Sequence, residues 1–246
     1  MHDFCVVIPA RYKSSRFPGK PLVKIAGVPM IVRTYRKCIK KVDSSKVYVA
    51  TDSVQIKKEC EKENIKVVMT SEKCMTGTDR VAEVAQKIKS KLYINVQGDE
   101  PFLDPSDLII FINEACKNPN IIHNAYCEIT DRKQFENINI PKLVFDKEKK
   151  LLYMSRAPIP LSKSGEYSKA YRQVCMYSFP KKMLDIFASY KNKMPIEEIE
   201  DIEILRFIES GIPVQMIKVS ENSIAIDTPD DLKRVHAMIS DGLLNA

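Results

Sequence analysis

Short apolar runs alternate with stretches of helical spacing through the first half of the chain. Residues 4–8, 46–50, 66–69 and 92–96 read as buried strands. Between them Met30, Thr34, Cys38 and Val42 keep a four-residue helical spacing, and Val81, Ala82, Ala85 and Ile88 do the same. This βαβ alternation predicts an α/β fold with a mostly parallel sheet flanked by helices. Ligands of such sheets bind beyond the carboxyl ends of the strands. After about residue 120 the pattern changes. Residues 123–129, 142–145, 151–155 and 173–179 are strand-like with little helix between them, which fits a mixed sheet or an extended arm. Residues 162–169 are polar and read as a loop. Helices are expected at 181–190 and 199–210, with Gly211 placed to end the second, and a further strand at 214–219. Thr228-Pro229-Asp230-Asp231 opens the last helix, with a threonine N-cap, proline at the first position and acids in the first turn. No repeat, low-complexity run or linker interrupts the pattern, so residues 1–246 are expected to form a single domain.

Composition narrows the class. Apolar residues make up 44% of the chain, enough for a sizeable core. The formal charge of +7 raises the question of nucleic acid, but many lysines lie beside acids, as in Lys57-Lys58-Glu59 and Glu61-Lys62-Glu63. They read as solvated helix faces, and no nucleic-acid partner is expected. The seven cysteines never form Cys-x-x-Cys and several sit in apolar runs, so neither a zinc site nor a disulfide framework is indicated. A reducing compartment follows. No signal-like N-terminus or apolar run of about 18 residues is present, and the expectation is a cytoplasmic protein with no membrane partner.

The chemistry concentrates in a few stretches. The first strand opens into Ala10-Arg11-Tyr12-Lys13-Ser14-Ser15-Arg16-Phe17-Pro18-Gly19-Lys20-Pro21, a loop with four cations and no acid. It suits a polyanion such as a nucleotide triphosphate. It fits neither the P-loop nor a Gly-x-Gly-x-x-Gly template, so side chains as well as amides would grip the phosphates. Asn95-Val96-Gln97-Gly98-Asp99-Glu100-Pro101 follows another strand and places Asp99 at the same sheet edge. A carboxylate facing a triphosphate is explained by a bridging Mg²⁺, which takes one or two carboxylates plus phosphate oxygens. As a turn or capping acid it would be ordinary, a role that fits Glu100 and Asp104 better. Asp227, just before the capped last helix, reads on its own as helix N-terminal electrostatics. Thr76-Gly77-Thr78-Asp79-Arg80 is either a plain helix cap or a turn whose amides hold a base or a ribose hydroxyl. Arg156 ends a strand ahead of two prolines and suits either a bidentate carboxylate or a surface ion pair. His2, His123 and His236 show no triad or zinc spacing.

Taken together these stretches resemble the 3-deoxy-manno-octulosonate (Kdo) cytidylyltransferase family. The matching pieces are Pro9 to Leu22, Tyr48-Val-Ala-Thr-Asp52, Gly77-Thr-Asp-Arg80, Asn95-Val-Gln-Gly-Asp-Glu-Pro101, Ser155-Arg-Ala157 and Asp227-Thr-Pro-Asp-Asp-Leu232. They come in the family's order and span nearly the whole chain. The resemblance implies a Rossmann-like nucleotidyltransferase fold with a strand-rich dimerisation arm, and a homodimer. It implies transfer of CMP from CTP to a 2-keto-3-deoxy sugar acid with release of pyrophosphate, in lipopolysaccharide or capsule synthesis. By carry-over, Arg11, Lys20 and Asp99 are catalytic. Pro9, Ala10, Arg11, Ser14, Arg16, Lys20, Gly77, Thr78, Arg80 and Gln97 lie on the nucleotide. Asp99 and Asp227 bind Mg²⁺, and Gln97, Arg156, Gln173, Tyr177 and Glu203 contact the acid.

The chain departs from the family pattern on the acceptor side. Where the family has His-x-Gly-Ile-Tyr-Gly-Tyr this chain has Gln173-Val-Cys-Met-Tyr-Ser-Phe179, and Glu-Gln-Leu-Arg is replaced by Glu203-Ile204-Leu205-Arg206. A sugar-contacting His and Gln thus become Gln173 and Ile204. Three readings stay open: Kdo as acceptor, a related acid (an amino-Kdo, another ulosonate or a phosphonate), or a nucleotide-binding relative without catalysis.

Overall fold

The computed structural model describes residues 3–13 and 17–244. In chain order the elements are β1 (Phe4–Ala10), β2 (Lys24–Ile25), β3 (Val28–Pro29), α1 (Met30–Ile39), β4 (Val47–Thr51), α2 (Val54–Lys62), β5 (Val67–Met69), α3 (Gly77–Lys87), β6 (Leu92–Val96) and α4 (Pro105–Lys117). There follow β7 (Ile122–Glu128), α5 (Arg132–Glu136), β8 (Lys142–Phe145), β9 (Leu151–Ser155), β10 (Tyr171–Pro180), α6 (Lys181–Ser189), α7 (Pro195–Glu200), α8 (Leu205–Glu209), β11 (Val214–Lys218) and α9 (Pro229–Ser240).

One mixed sheet runs β11-β7-β10-β6-β1-β4-β5. β1 pairs in parallel with β4 and β6, and β10 enters antiparallel between β6 and β7. The run Val6-Val7-Ile8 is buried on both faces, as a central parallel strand must be. Helices cover each side. Ile31, Val32 and Cys38 of α1, Ile56 of α2 and Phe111 of α4 pack one face. Val81 and Ala85 of α3, Phe187 of α6 and Phe207 of α8 pack the other. Burial of apolar surface on both faces is the main stabilising contribution, at roughly 25 cal/mol per Å².

The strand-rich segment after residue 120 does not form a separate arm. β7, β10 and β11 lie inside the main sheet, and only the β8–β9 hairpin leaves its path, pairing onto β10. A second difference is larger. The helix expected over 199–210 is two short helices, α7 and α8, broken at Asp201, which sits in the left-handed region at φ 49°. The break buries Ile202 and Ile204 and leaves Glu203 between them in the cleft lining, an alternation that an unbroken helix could not give.

The two capped helix starts are as expected. In α3 and α9, Thr76 with Asp79 and Thr228 with Asp231 form reciprocal capping boxes.

Candidate active site

The carboxyl ends of β1 and β6 bring the basic loop and the Gln97–Asp99 turn together. Gly98 makes this possible, because a Cβ there would stand 2.8 Å from the backbone oxygen of Pro9. Gly19, at φ 72°, donates its N–H to Tyr12 O (2.9 Å) and closes the loop so that Lys20 starts a 3₁₀ turn with Pro21 buried beneath it. Ile226 N–H donates to Asp99 O (3.0 Å), which carries Asp227 to the same place.

The result is one ion cluster. Lys20 Nζ donates to Asp99 Oδ2 at 2.6 Å and to Asp227 Oδ1 at 3.2 Å. The three side chains are 14%, 23% and 30% exposed, so the cluster opens into the cleft. Burial pulls the Lys20 pKa down, but the two carboxylates outweigh it and hold the ammonium above its usual range. Asp227 is therefore not the helix-capping acid; Asp231 has that task and also accepts from the Asp227 N–H (3.1 Å). Glu100 is not a surface turn acid either. It is buried, accepts from Cys175 N–H at 3.4 Å, and is pushed up to about 8 by burial and then by Asp99. Asp104 does cap α4, through Ser106 N–H (2.8 Å).

The cluster lies in an open cleft. Pro9, Ala10, Arg11, Gly77, Arg80 and Gln97 line the same cleft, and so do Arg156, Gln173, Tyr177 and Glu203. Ser14 and Arg16 lie outside the described residues. Lys13, at the rim, pairs with Glu72 (3.1 Å) in full solvent.

Several residues act differently from their sequence reading. Thr78 is buried behind the cleft wall, and its backbone N–H, a candidate nucleotide donor, is taken by Glu203 Oε2 (2.9 Å). Glu203 also accepts from Gln97 Nε2 (2.6 Å), and burial raises its pKa. A Cβ on Gly77 would meet Gln97 Nε2 at 2.7 Å, so the glycine leaves room for that amide at the start of α3. The Arg80 guanidinium is buried and bound to Asp52 Oδ2 (2.9 Å), Thr70 Oγ1 (2.8 Å) and Ser71 O (3.1 Å). It braces the cleft floor, joining two of the motif stretches. Ile204 packs among core residues and does not line the cleft, so its replacement of a glutamine does not alter the pocket by direct contact.

Arg156 is neither a free fork nor a plain surface ion pair. Its guanidinium donates to Glu200 O (2.5 Å), Ile138 O (3.1 Å) and Asp201 O (3.0 Å). Three of five N–H donors are thus occupied, which leaves two, and Nη2 also lies 3.9 Å from the Asp201 carboxylate. Sequence reasoning missed Asn139, Lys193 and Ile202, which line the cleft. It also missed Lys142, buried beside Arg156 and pulled down to about 8 by burial and then by that guanidinium. Nothing in local pattern marks them. His123 is buried away from the cleft against Ser178 Oγ (2.8 Å), and burial pulls it down to about 4.

Residues 5–221 match the cytidylyltransferase family. A 3-deoxy-manno-octulosonate cytidylyltransferase of Chloroherpeton thalassium is 38% identical, across 96% of this chain and 97% of its own length. An 8-amino-3,8-dideoxy-manno-octulosonate cytidylyltransferase of Shewanella pealeana is 35% identical, across 96% and 98%. A solved structure of CMP:2-keto-3-deoxy-manno-octonic acid synthetase complexed with CTP matches with a TM-score of 0.87 at 32% identity, covering 98% of this chain and 99% of that one.

Proposed function

The chain belongs to the cytidylyltransferase family, and on that footing we propose that it transfers CMP from CTP to a 2-keto-3-deoxy sugar acid, 3-deoxy-manno-octulosonate in the first instance. The observation that carries the reading is the shared cleft: the Lys20–Asp99–Asp227 cluster and Arg156 with Gln173 and Tyr177 line it together.

In this reaction the anomeric hydroxyl oxygen of the acid bonds to the α-phosphorus and gives up its proton to solvent, the bond from that phosphorus to the bridging oxygen breaks, and pyrophosphate leaves. Positioning and charge neutralisation supply most of the rate. Lys20 carries three N–H donors, and a phosphate oxygen is the natural acceptor for the one that Asp99 and Asp227 leave. Arg11, exposed at the cleft mouth, adds a second cation for the leaving pyrophosphate. Arg156 holds the acid's carboxylate through its two remaining donors.

Asp99 and Asp227 fit a divalent ion, Mg²⁺ by preference. They offer hard oxygens, and the Lys20 ammonium between them shows that the position favours a cation. Among the described residues no group of three or more His, Cys, Asp or Glu side chains is arranged for a metal, so phosphate oxygens would complete the coordination. When bound, the ion would neutralise charge developing on the phosphates.

Pyrophosphate release should require CTP, with UTP, ATP and GTP at least about tenfold poorer, and excess chelator should abolish it. A preference for another nucleotide would overturn the cytidylyl assignment. The Shewanella pealeana relative is as similar as the others, so the 8-amino acid is the second acceptor to include.

Residues 1–246 act as one domain in this reading, because both halves share one sheet. Among the described residues no helix is long and apolar enough to cross a membrane, and a nucleotide substrate places the reaction in the cytoplasm. Lysines on the helix faces are balanced by acids, as in Lys57–Glu61 and Lys62–Glu59, which argues against a nucleic-acid surface. A homodimer would cover the β8–β9 hairpin, where Leu152 and, nearby, Ile138 and Leu161 are exposed. Light scattering at micromolar concentration should give twice the 28.1 kDa chain mass; the monomer mass would remove this part.

A further inference from the structure

Two side chains in the cleft lining have a fixed hydrogen-bond polarity, and a third sets it. β10 carries a bulge: Val174 pairs with Ala125, but the next pair is Tyr177 with Asn124, so Cys175 and Met176 have no opposite residues on β7. Asn124, fully buried, sits at that bulge. Its Nδ2 donates to Val174 O (3.2 Å) and Met176 O (2.9 Å). Both partners are carbonyls, which can only accept, so the amide nitrogen must face them and Oδ1 must face the other way. Asn124 Oδ1 meets Gln173 at 3.0 Å, and only the nitrogen of that second amide can donate to it. Gln173 Nε2 spends its other proton on the Tyr177 hydroxyl, also at 3.0 Å.

The chain of donors ends at the cleft. Gln173 Oε1 accepts no hydrogen bond among the described residues and is not sealed from solvent. Tyr177 oxygen accepts from Gln173, which leaves its own proton to donate. Both residues line the cleft. An acceptor and a donor side by side match a ligand hydroxyl, which donates to one and accepts from the other.

We propose that Asn124 is a positioning residue that locks the Gln173 amide with Oε1 toward the cleft, so that Gln173 and Tyr177 together read a hydroxyl of the acceptor acid. This rests on the cytidylyltransferase reading above. Neither side chain changes charge near neutrality, so the subsite keeps one polarity where a histidine could switch.

A double-mutant cycle tests the positioning role. Asn124→Ala should raise KM for the acid about tenfold or more, with KM for CTP within about twofold. In the Gln173→Ala background the same change should move the acid's KM less than about twofold, because nothing is left to orient. An equal factor in both backgrounds, or a matching rise in KM for CTP, would show that Asn124 merely supports the fold. Should Asn124→Ala fail to fold, the wild-type enzyme answers through its substrates. With single-position deoxy and deoxyfluoro analogues of the acid, one position should lose about tenfold in kcat/KM for both, since fluorine cannot donate to Gln173. Recovery by fluorine at every position where deoxygenation costs activity would overturn the proposal. Absence of pyrophosphate release with every acid would instead remove the underlying functional reading.

Discussion

Asp99→Asn should lower kcat about a hundredfold to a thousandfold, the range typical of removing one fixed charge from a transition-state site. The melting temperature should move by no more than a few degrees. The carboxylate is the shorter contact of Lys20, at 2.6 Å against 3.2 Å for Asp227, and it shares the position best suited to a cation. Neutralising it removes half of the negative charge at that position while keeping the side chain's shape. Stability is less affected because both partners open on the cleft; a pair of this kind is worth about 1 kcal/mol. Its loss shifts the melting temperature by roughly 2–4 °C in a chain this long.

The pH dependence has a definite sign. The Lys20 pKa is raised on folding, so the stability it contributes is complete below the ordinary lysine value and is lost only as pH rises through the folded value. Across the neutral range the wild type and Asp99→Asn should therefore differ by a constant amount. Steady-state kinetics with a parallel melting curve checks both parts. Full turnover in the variant, or a cooperative unfolding shift of ten degrees or more, would show that the carboxylate is structural.

The largest effect on stability should come from a residue on α7. Glu197 and Arg206 form a bidentate pair, with Nε–Oε2 at 2.7 Å and Nη2–Oε1 at 2.6 Å, and their side chains are 1% and 0% exposed. Arg206 also lies 3.7 Å from the Phe187 ring centroid, donates to Phe187 O (3.2 Å), and reaches Asp79 of the α3 capping box (3.3 Å). It ties together α3, α6, α7 and α8. Glu197→Ala strands a buried guanidinium, and breaking one side of such a pair costs about 3–5 kcal/mol. The melting temperature should fall by roughly 6–20 °C. Adding Arg206→Met to the same chain should recover much of the loss, because the uncompensated charge goes with it and an apolar side chain of similar length fills the space. Calorimetry on the three variants decides the point. If the double variant is no better than Glu197→Ala, the cost lies in packing and not in the stranded charge.

Legibility followed the range of the interaction. The apolar runs fixed β1, β6 and their partners because a strand buried on both faces reports its environment in every residue. The helix starts were legible for the same local reason. Thr76 with Asp79 and Thr228 with Asp231 satisfy amides within one turn, so the signal is contained in four consecutive residues. The basic loop and the motif around Asp99 marked the Lys20–Asp99 cluster in the cleft.

The sequence by itself therefore determined the α/β class, the capped helices and the chemical character of the loops at one sheet edge. Tertiary structure alone decided who meets whom. Asp227 reaches Lys20 only because the backbone of residue 226 bonds to Asp99 O, a contact no local pattern encodes. Ile202 and Ile204 are both buried with Glu203 between them in the cleft lining only because Asp201 ends α7 just before them. Gln173 presents an oxygen only because Asn124, from a neighbouring strand, has already given both of its protons to bulge carbonyls. Burial periodicity is a property of one segment, whereas charge pairing and hydrogen-bond polarity are set by atoms from segments far apart in the chain.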